Sequence, residues 1–175
     1  MLAALGEEAG FCDWVRRLGG EATPAAPTRR GGWSGAELVY LHAVLMLELP
    51  RKDAFSTTVR AARRDCALLA LVLGDEAWVR RRGGSRTAYE LAAIRPDILF
   101  TSAPAAAERG VPLEGLAGVP VVELEGGGCS VFGRRLPAPS SAHDSEALAA
   151  AFCVAFVEGA TPVEAAGRAV LVAAR

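Results

Sequence analysis

Four short apolar runs dominate the chain: "LVYLHAVLM" (38–46), "ALLALVL" (67–73), "DILFT" (97–101) and "VPVVELE" (119–125). Each has the length of a strand, and none alternates cleanly between apolar and polar residues. Such runs belong to strands buried on both faces, which need helices above and below them. Helical patterns lie between and after the runs. Phe55, Val59, Ala62 and Cys66 recur at helical spacing, with Arg60, Arg63 and Arg64 on the opposite, solvated face. Ser85 is placed to cap a helix carrying Tyr89, Leu91 and Ile94, which Pro96 ends. A further helix is expected from Asp144 to Glu158, stopped by Gly159. The last begins at Thr161 as N-cap with Pro162 and a reciprocal Glu164, and its stripe is Val163, Ala166, Val170 and Leu171. Strands alternating with helices predict an α/β fold, a mostly parallel sheet flanked by helices.

At 175 residues the chain suits one domain, 1–175. Residues 1–35 read as an irregular front segment and 36–175 as the core, because 19–35 is rich in glycine and proline without a hydrophobic period. Hydrophobic residues make up 51% and charged residues 22%, which excludes a disordered chain. A net charge of −1 supplies no field for nucleic acid or an anionic membrane surface. "WVRRRGGSR" (78–86) is therefore read as a solvated arginine-rich loop rather than a phosphate-backbone contact. No apolar run approaches the ~20 residues needed to cross a bilayer, and the first residues carry no basic leader pattern, so a cytoplasmic location is expected. Cys12, Cys66, Cys129 and Cys153 are scattered without a C-x-x-C pair, which points to buried reduced thiols and no metal site.

From about Ala36 onward the order of elements resembles the C-terminal portion of the ribokinase-like (PfkB) sugar kinase family, most strongly from Arg95 to Ala174. The residues that carry the likeness are "DILF", "VPVVELEGGGCSVFGRRLPAP", "HDSEALAAAF" and "FVEGATPVEAAGRAV". In that family a T-x-G-like nucleotide turn and a β-excursion precede a helix opened by D-T-x-G-A-G-D, whose last aspartate takes the proton from the sugar hydroxyl. Laid on this chain, the first aspartate is Asp144, the glycines fall on Ala147 and Ala149, and the catalytic aspartate falls on Ala150. Phe152 matches the aromatic that usually follows. The family's N-x-x-E corresponds to Ser102 and Ala105, and its T-x-G to Glu123 and Glu125, with Gly128 retained. The resemblance also implies a truncated front. Ala3 to Gly6 reads as a helix end, the first strand as missing, and the β-lid as reduced or absent.

The side chains left at these positions have two readings each. Asp144 is a substitute base or a helix N-cap, and the N-cap is preferred. His143 is a general acid–base group or an exposed loop histidine, again with the second preferred. Gly126, Gly127 and Gly128 either cradle a phosphate or form a hairpin turn, and the neighbouring Glu123 and Glu125 favour the turn. Phe11, Trp14 and Trp33 are the large front residues through which a homodimer or a protein partner would bind. The resulting expectation is a degenerate kinase-family protein that binds or scaffolds without phosphotransfer. The alternatives are an ATP- and Mg-dependent sugar or nucleoside kinase with Asp144 as base, and a nucleotide sensor without turnover.

Overall fold

The computed structural model describes residues 2–5, 9–25, 36–46, 49–65, 67–109, 113–139 and 144–174. The front segment is not irregular within these bounds. It forms strand β1 (Leu2–Leu5), helix α1 (Ala9–Arg17) and strand β2 (Ala22–Ala25). The expectation of a missing first strand and a helix end at Ala3 is corrected by the same observation. Strand β1 lies inside the sheet, parallel to β2 on one side and on the other to β3 (Leu38–His42). Four apolar residues at the start of a chain carry little local signal, and "ATPA" has poor strand propensity. The pairing holds them in place, and Pro24 is tolerated because β2 lies at the sheet edge.

Strands β4 (Leu68–Val72), β5 (Ile98–Ser102) and β6 (Val119–Glu123) occupy the other apolar runs. Strand β7 (Gly128–Val131) runs antiparallel to β6, and β8 (Arg134–Pro137) antiparallel to β7. The full order is β2-β1-β3-β4-β5-β6-β7-β8, parallel from β2 through β6. The run 38–46 is not a single strand, because β3 ends at His42 and Ala43–Met46 turns as a 3-10 segment.

The helices complete two layers. Helix α2 (Leu49–Arg64), α3 (Glu76–Arg82), α4 (Gly84–Ile94) and α5 (Ala103–Arg109) cover one face, where Phe55, Trp78, Leu91 and Ala105 meet Val39, Leu41, Leu69, Leu71 and Leu99. Helix α1, α6 (Ser145–Val157) and α7 (Pro162–Ala173) cover the other, against Leu38, Tyr40, Ala70, Ile98 and Phe100. Neighbouring strand residues thus enter different cores, and both are apolar. This is why the runs show no alternation in the sequence.

Three local expectations change. Trp78 to Arg82 is the body of α3, started by Asp75, whose side chain accepts the Trp78 N–H at 2.7 Å, and is not a solvated loop. Helix α4 starts at Gly84 behind Gly83, whose φ of 89° ends α3, so Ser85 is not its cap. On α7 the buried face is Ala165, Ala166, Ala169, Val170 and Ala173, while Leu171 is 60% exposed. The Thr161–Glu164 capping box forms as expected. Among the described residues no helix is long and apolar enough to cross a membrane.

Candidate functional site

The chain order places the switch point of the sheet between β1 and β3, because β2 lies on one side of β1 and the later parallel strands on the other. Ligands of open α/β sheets bind outside the carboxyl ends of the strands at such a point. The amino ends of α1 and α6 both come here. Gly10 of α1 lies against the Glu146 carboxylate, so closely that a Cβ at Gly10 would be 1.7 Å from its Oε2.

Two helix N-termini at one place make a ready site for an anion, through their free N–H groups and dipoles. Here the chain's own carboxylates are drawn in. Asp144 is the N-cap of α6, and its Oδ1 accepts the Ala147 N–H at 2.9 Å. Its Oδ2 accepts from the indole Nε1 of Trp14 at 3.1 Å, across 130 residues of sequence. Both oxygens of the one candidate base are therefore engaged. Glu123, at the carboxyl end of β6, accepts a hydrogen bond from the Ser145 hydroxyl at 2.6 Å. Glu146 occupies the end of α1. Three carboxylates thus gather around the amino end of α6.

The positions that the resemblance assigns to the phosphate turn are not a turn. Ala147, Leu148, Ala149 and Ala150 form the first buried stretch of α6, each no more than 2% exposed. Ala150 faces the core beside Phe152, which packs edge-on against Phe100 at 5.6 Å. A helix apolar all round can only be buried, and its alanines let α1 and α7 approach closely. Ser102 serves as a local cap, its Oγ accepting the Ala105 N–H at 3.3 Å, and Ala105 is fully buried.

The glycine run is a hairpin turn, as preferred. Gly126, Gly127 and Gly128 all have positive φ, near 85–95°. The Gly127 N–H donates to the Leu124 carbonyl and the Leu124 N–H to the Gly128 carbonyl, both at 3.1 Å. These amides are used within the turn. At Gly128 a Cβ would lie 2.3 Å from the Leu136 carbonyl oxygen, so the approach of β8 itself requires glycine. An open cleft of about 640 Å³ lies beside the turn, lined by Ala103, Leu124, Glu125, Gly126, Arg135 and Pro137. Glu125 is exposed there. Among the described residues Arg135 is the one cation in the lining, Glu125 stands beside it, and the Gly127 amide is spent within the turn. The residues present do not fit the terminal phosphates of a nucleotide.

Of the front residues, Phe11 does not offer a contact surface. It is fully buried and stacks on Tyr40 with ring centroids 3.8 Å apart. Its place on the inner face of α1 puts it in the core. Trp14 is half-buried against Asp144, and Trp33 and His143 lie outside the described residues. Cys12, Cys129 and Cys153 are buried and unbridged, while Cys66 falls outside. Burial, with Glu123 facing it, pushes the Cys129 thiol up to about 12, which removes it as a nucleophile near neutral pH. Among the described residues no group of three or more His, Cys, Asp or Glu is placed to hold a metal ion. The Trp14–Asp144 contact could not be read in advance, since nothing local in either segment points to the other.

No protein-family model matches the chain, and no curated protein sequence does. Solved structures do match its fold. An adenosine kinase from Sinorhizobium meliloti aligns at 17% identity and a TM-score of 0.72, covering 98% of this chain and 69% of that one. A PfkB protein from Polaromonas sp. JS666 aligns at 17% and 0.63, covering 80% of this chain and 53% of its own. A carbohydrate kinase from Agrobacterium tumefaciens aligns at 17% and 0.62, with 99% and 72% covered. The chain has the ribokinase-like α/β fold over a length shorter than these kinases.

Proposed function

We propose that this chain is a degenerate relative of the sugar and nucleoside kinases that binds or scaffolds without transferring phosphoryl groups. The observation that carries this reading is the start of α6. Its N-cap carboxylate closes the helix end, and the position for a catalytic aspartate, Ala150, is sealed in the core. A positioned base contributes ~10²–10⁴ in rate and each anion-binding donor ~10²–10³, so losing both removes most of what such a site supplies. Self-association belongs to the same proposal. Among the described residues β2 pairs only with β1, which leaves one edge of the sheet for another strand.

A second reading keeps an ATP-dependent kinase with Asp144 as base, supported by the place of Asp144 at the carboxyl end of the sheet. It requires the Trp14 and Ala147 hydrogen bonds to be released. A coupled assay for ADP formation separates the two, run with adenosine and a panel of sugars in the presence of Mg²⁺. The first reading expects no acceptor-dependent ADP above background. Steady turnover that disappears in Asp144→Ala would replace it with the second.

A further inference from the structure

A separate cleft lies on the other face of the sheet, between α2 and α4. Its apolar walls are Phe55, Ala93 and Ile94, and Ser56 and Tyr89 bring hydroxyl groups to its rim. Arg82 and Glu90 complete the lining. The Arg82 side chain is only 5% exposed, and its Nε and NH2 donate to the two Glu90 oxygens at 2.7 and 2.6 Å. Its guanidinium also lies over the Trp78 ring, 5.6 Å from the centroid. A second guanidinium, Arg86, reaches the same carboxylate at 3.4 Å.

Two arginines therefore share one glutamate: Arg82 and Glu90 line the cleft and balance each other, and Arg86, just outside the lining, adds one positive charge against the same carboxylate. The buried arginine is already fixed by the ion pair and the indole, so little side-chain entropy remains to be lost on binding. The cleft holds about 190 Å³, and a cavity of ~150 Å³ accommodates a benzene ring. Beside it the Tyr89 ring is 77% exposed, a large aromatic surface available to cover an occupant.

We propose that this cleft binds a small aromatic monoanion: a single ring bearing a carboxylate. The ring rests between Phe55 and Ile94, and the carboxylate faces the shared charge of Arg82 and Arg86. Neither the α6 terminus nor the hairpin turn takes part, so the proposal stands apart from the question of phosphotransfer.

Benzoate is the probe and benzamide its neutral counterpart, each titrated into the full chain with amide chemical shifts as readout. Ring and carboxylate together support a dissociation constant of about 1 mM for benzoate, with benzamide at least about fivefold weaker. Ala93→Trp fills the cleft from an exposed position and should abolish binding. Arg86→Gln, also exposed, should weaken benzoate severalfold and leave benzamide unchanged. Equal binding of the two probes, or benzoate binding unchanged in either variant, would overturn the proposal. So would the absence of any saturable shift around the cleft in the wild-type chain.

Discussion

The start of α6 and the β6–β7 hairpin correspond, in the kinase resemblance, to two sides of one phosphate-handling site, and here they are filled differently. At α6 the chain closes the helix end with Asp144 and binds that carboxylate to Trp14, while Glu146 occupies the end of α1. At the hairpin three glycines form the turn, Gly128 alone matching the family's pattern, and an open cleft lies beside them. The difference separates two reasons for a glycine. Gly128 is required by the fold, because a positive φ and the neighbouring β8 backbone leave no room for a side chain. Ala147 and Ala149 sit in ordinary helix, where only an approaching ligand would ask for glycine. Glycine stands where the backbone needs it, and alanine where a phosphate would have needed it.

The largest effect is expected for Ala150→Asp. If the helix start were an intact kinase site lacking one residue, the change would restore chemistry. On the present account it places an unpaired carboxylate in the core of α6, at a cost of about 3–5 kcal/mol, the size of breaking a buried charge pair. Urea unfolding measures this, and a loss below about 1 kcal/mol would contradict the burial argument.

The hairpin side gives the next largest effect. Gly128→Ala combines a positive φ with a collision against the Leu136 carbonyl and should cost about 2–4 kcal/mol. Gly126→Ala has the same sign of φ but nothing within 4 Å, so only about 1–2 kcal/mol is expected. Equal losses at the two positions would show that φ alone, and not the approach of β8, dictates Gly128. Smaller still is Asp144→Ala, which removes a cap and should cost about 1 kcal/mol. It should also change the Trp14 emission, because the indole loses its acceptor.

Much of this architecture was legible in the sequence, and the reasons are specific. Strands β3 to β6 were visible as apolar runs because burial on both faces leaves no other composition. The Thr161–Glu164 box and the Asp144 cap were visible because caps are local chemistry, complete within four residues. The front was misread for the opposite reason. Strand β1 gets its strand character from β2 and β3, and β2 from β1, so neither is written in its own four residues. Helix α3 was hidden by its arginines, since Arg82 is buried through Glu90 and not through apolarity. In the candidate site, the loss of the aspartate at Ala150 could be read position by position. The hydrogen bond that engages Asp144 could not, because its donor lies 130 residues away.

If the side chains at the α6 terminus close it to phosphate, the Trp14 indole, held on Asp144, reports on that closure directly. Its Nε1–H resonance, assigned with Trp14→Phe, can be followed while inorganic phosphate or Mg·ATP is titrated into the full chain. The resonance should stay where it is, because the donor remains on Asp144 throughout. A saturable movement of that resonance, absent in Asp144→Ala, would mean that the anion displaces the carboxylate and that the site is open.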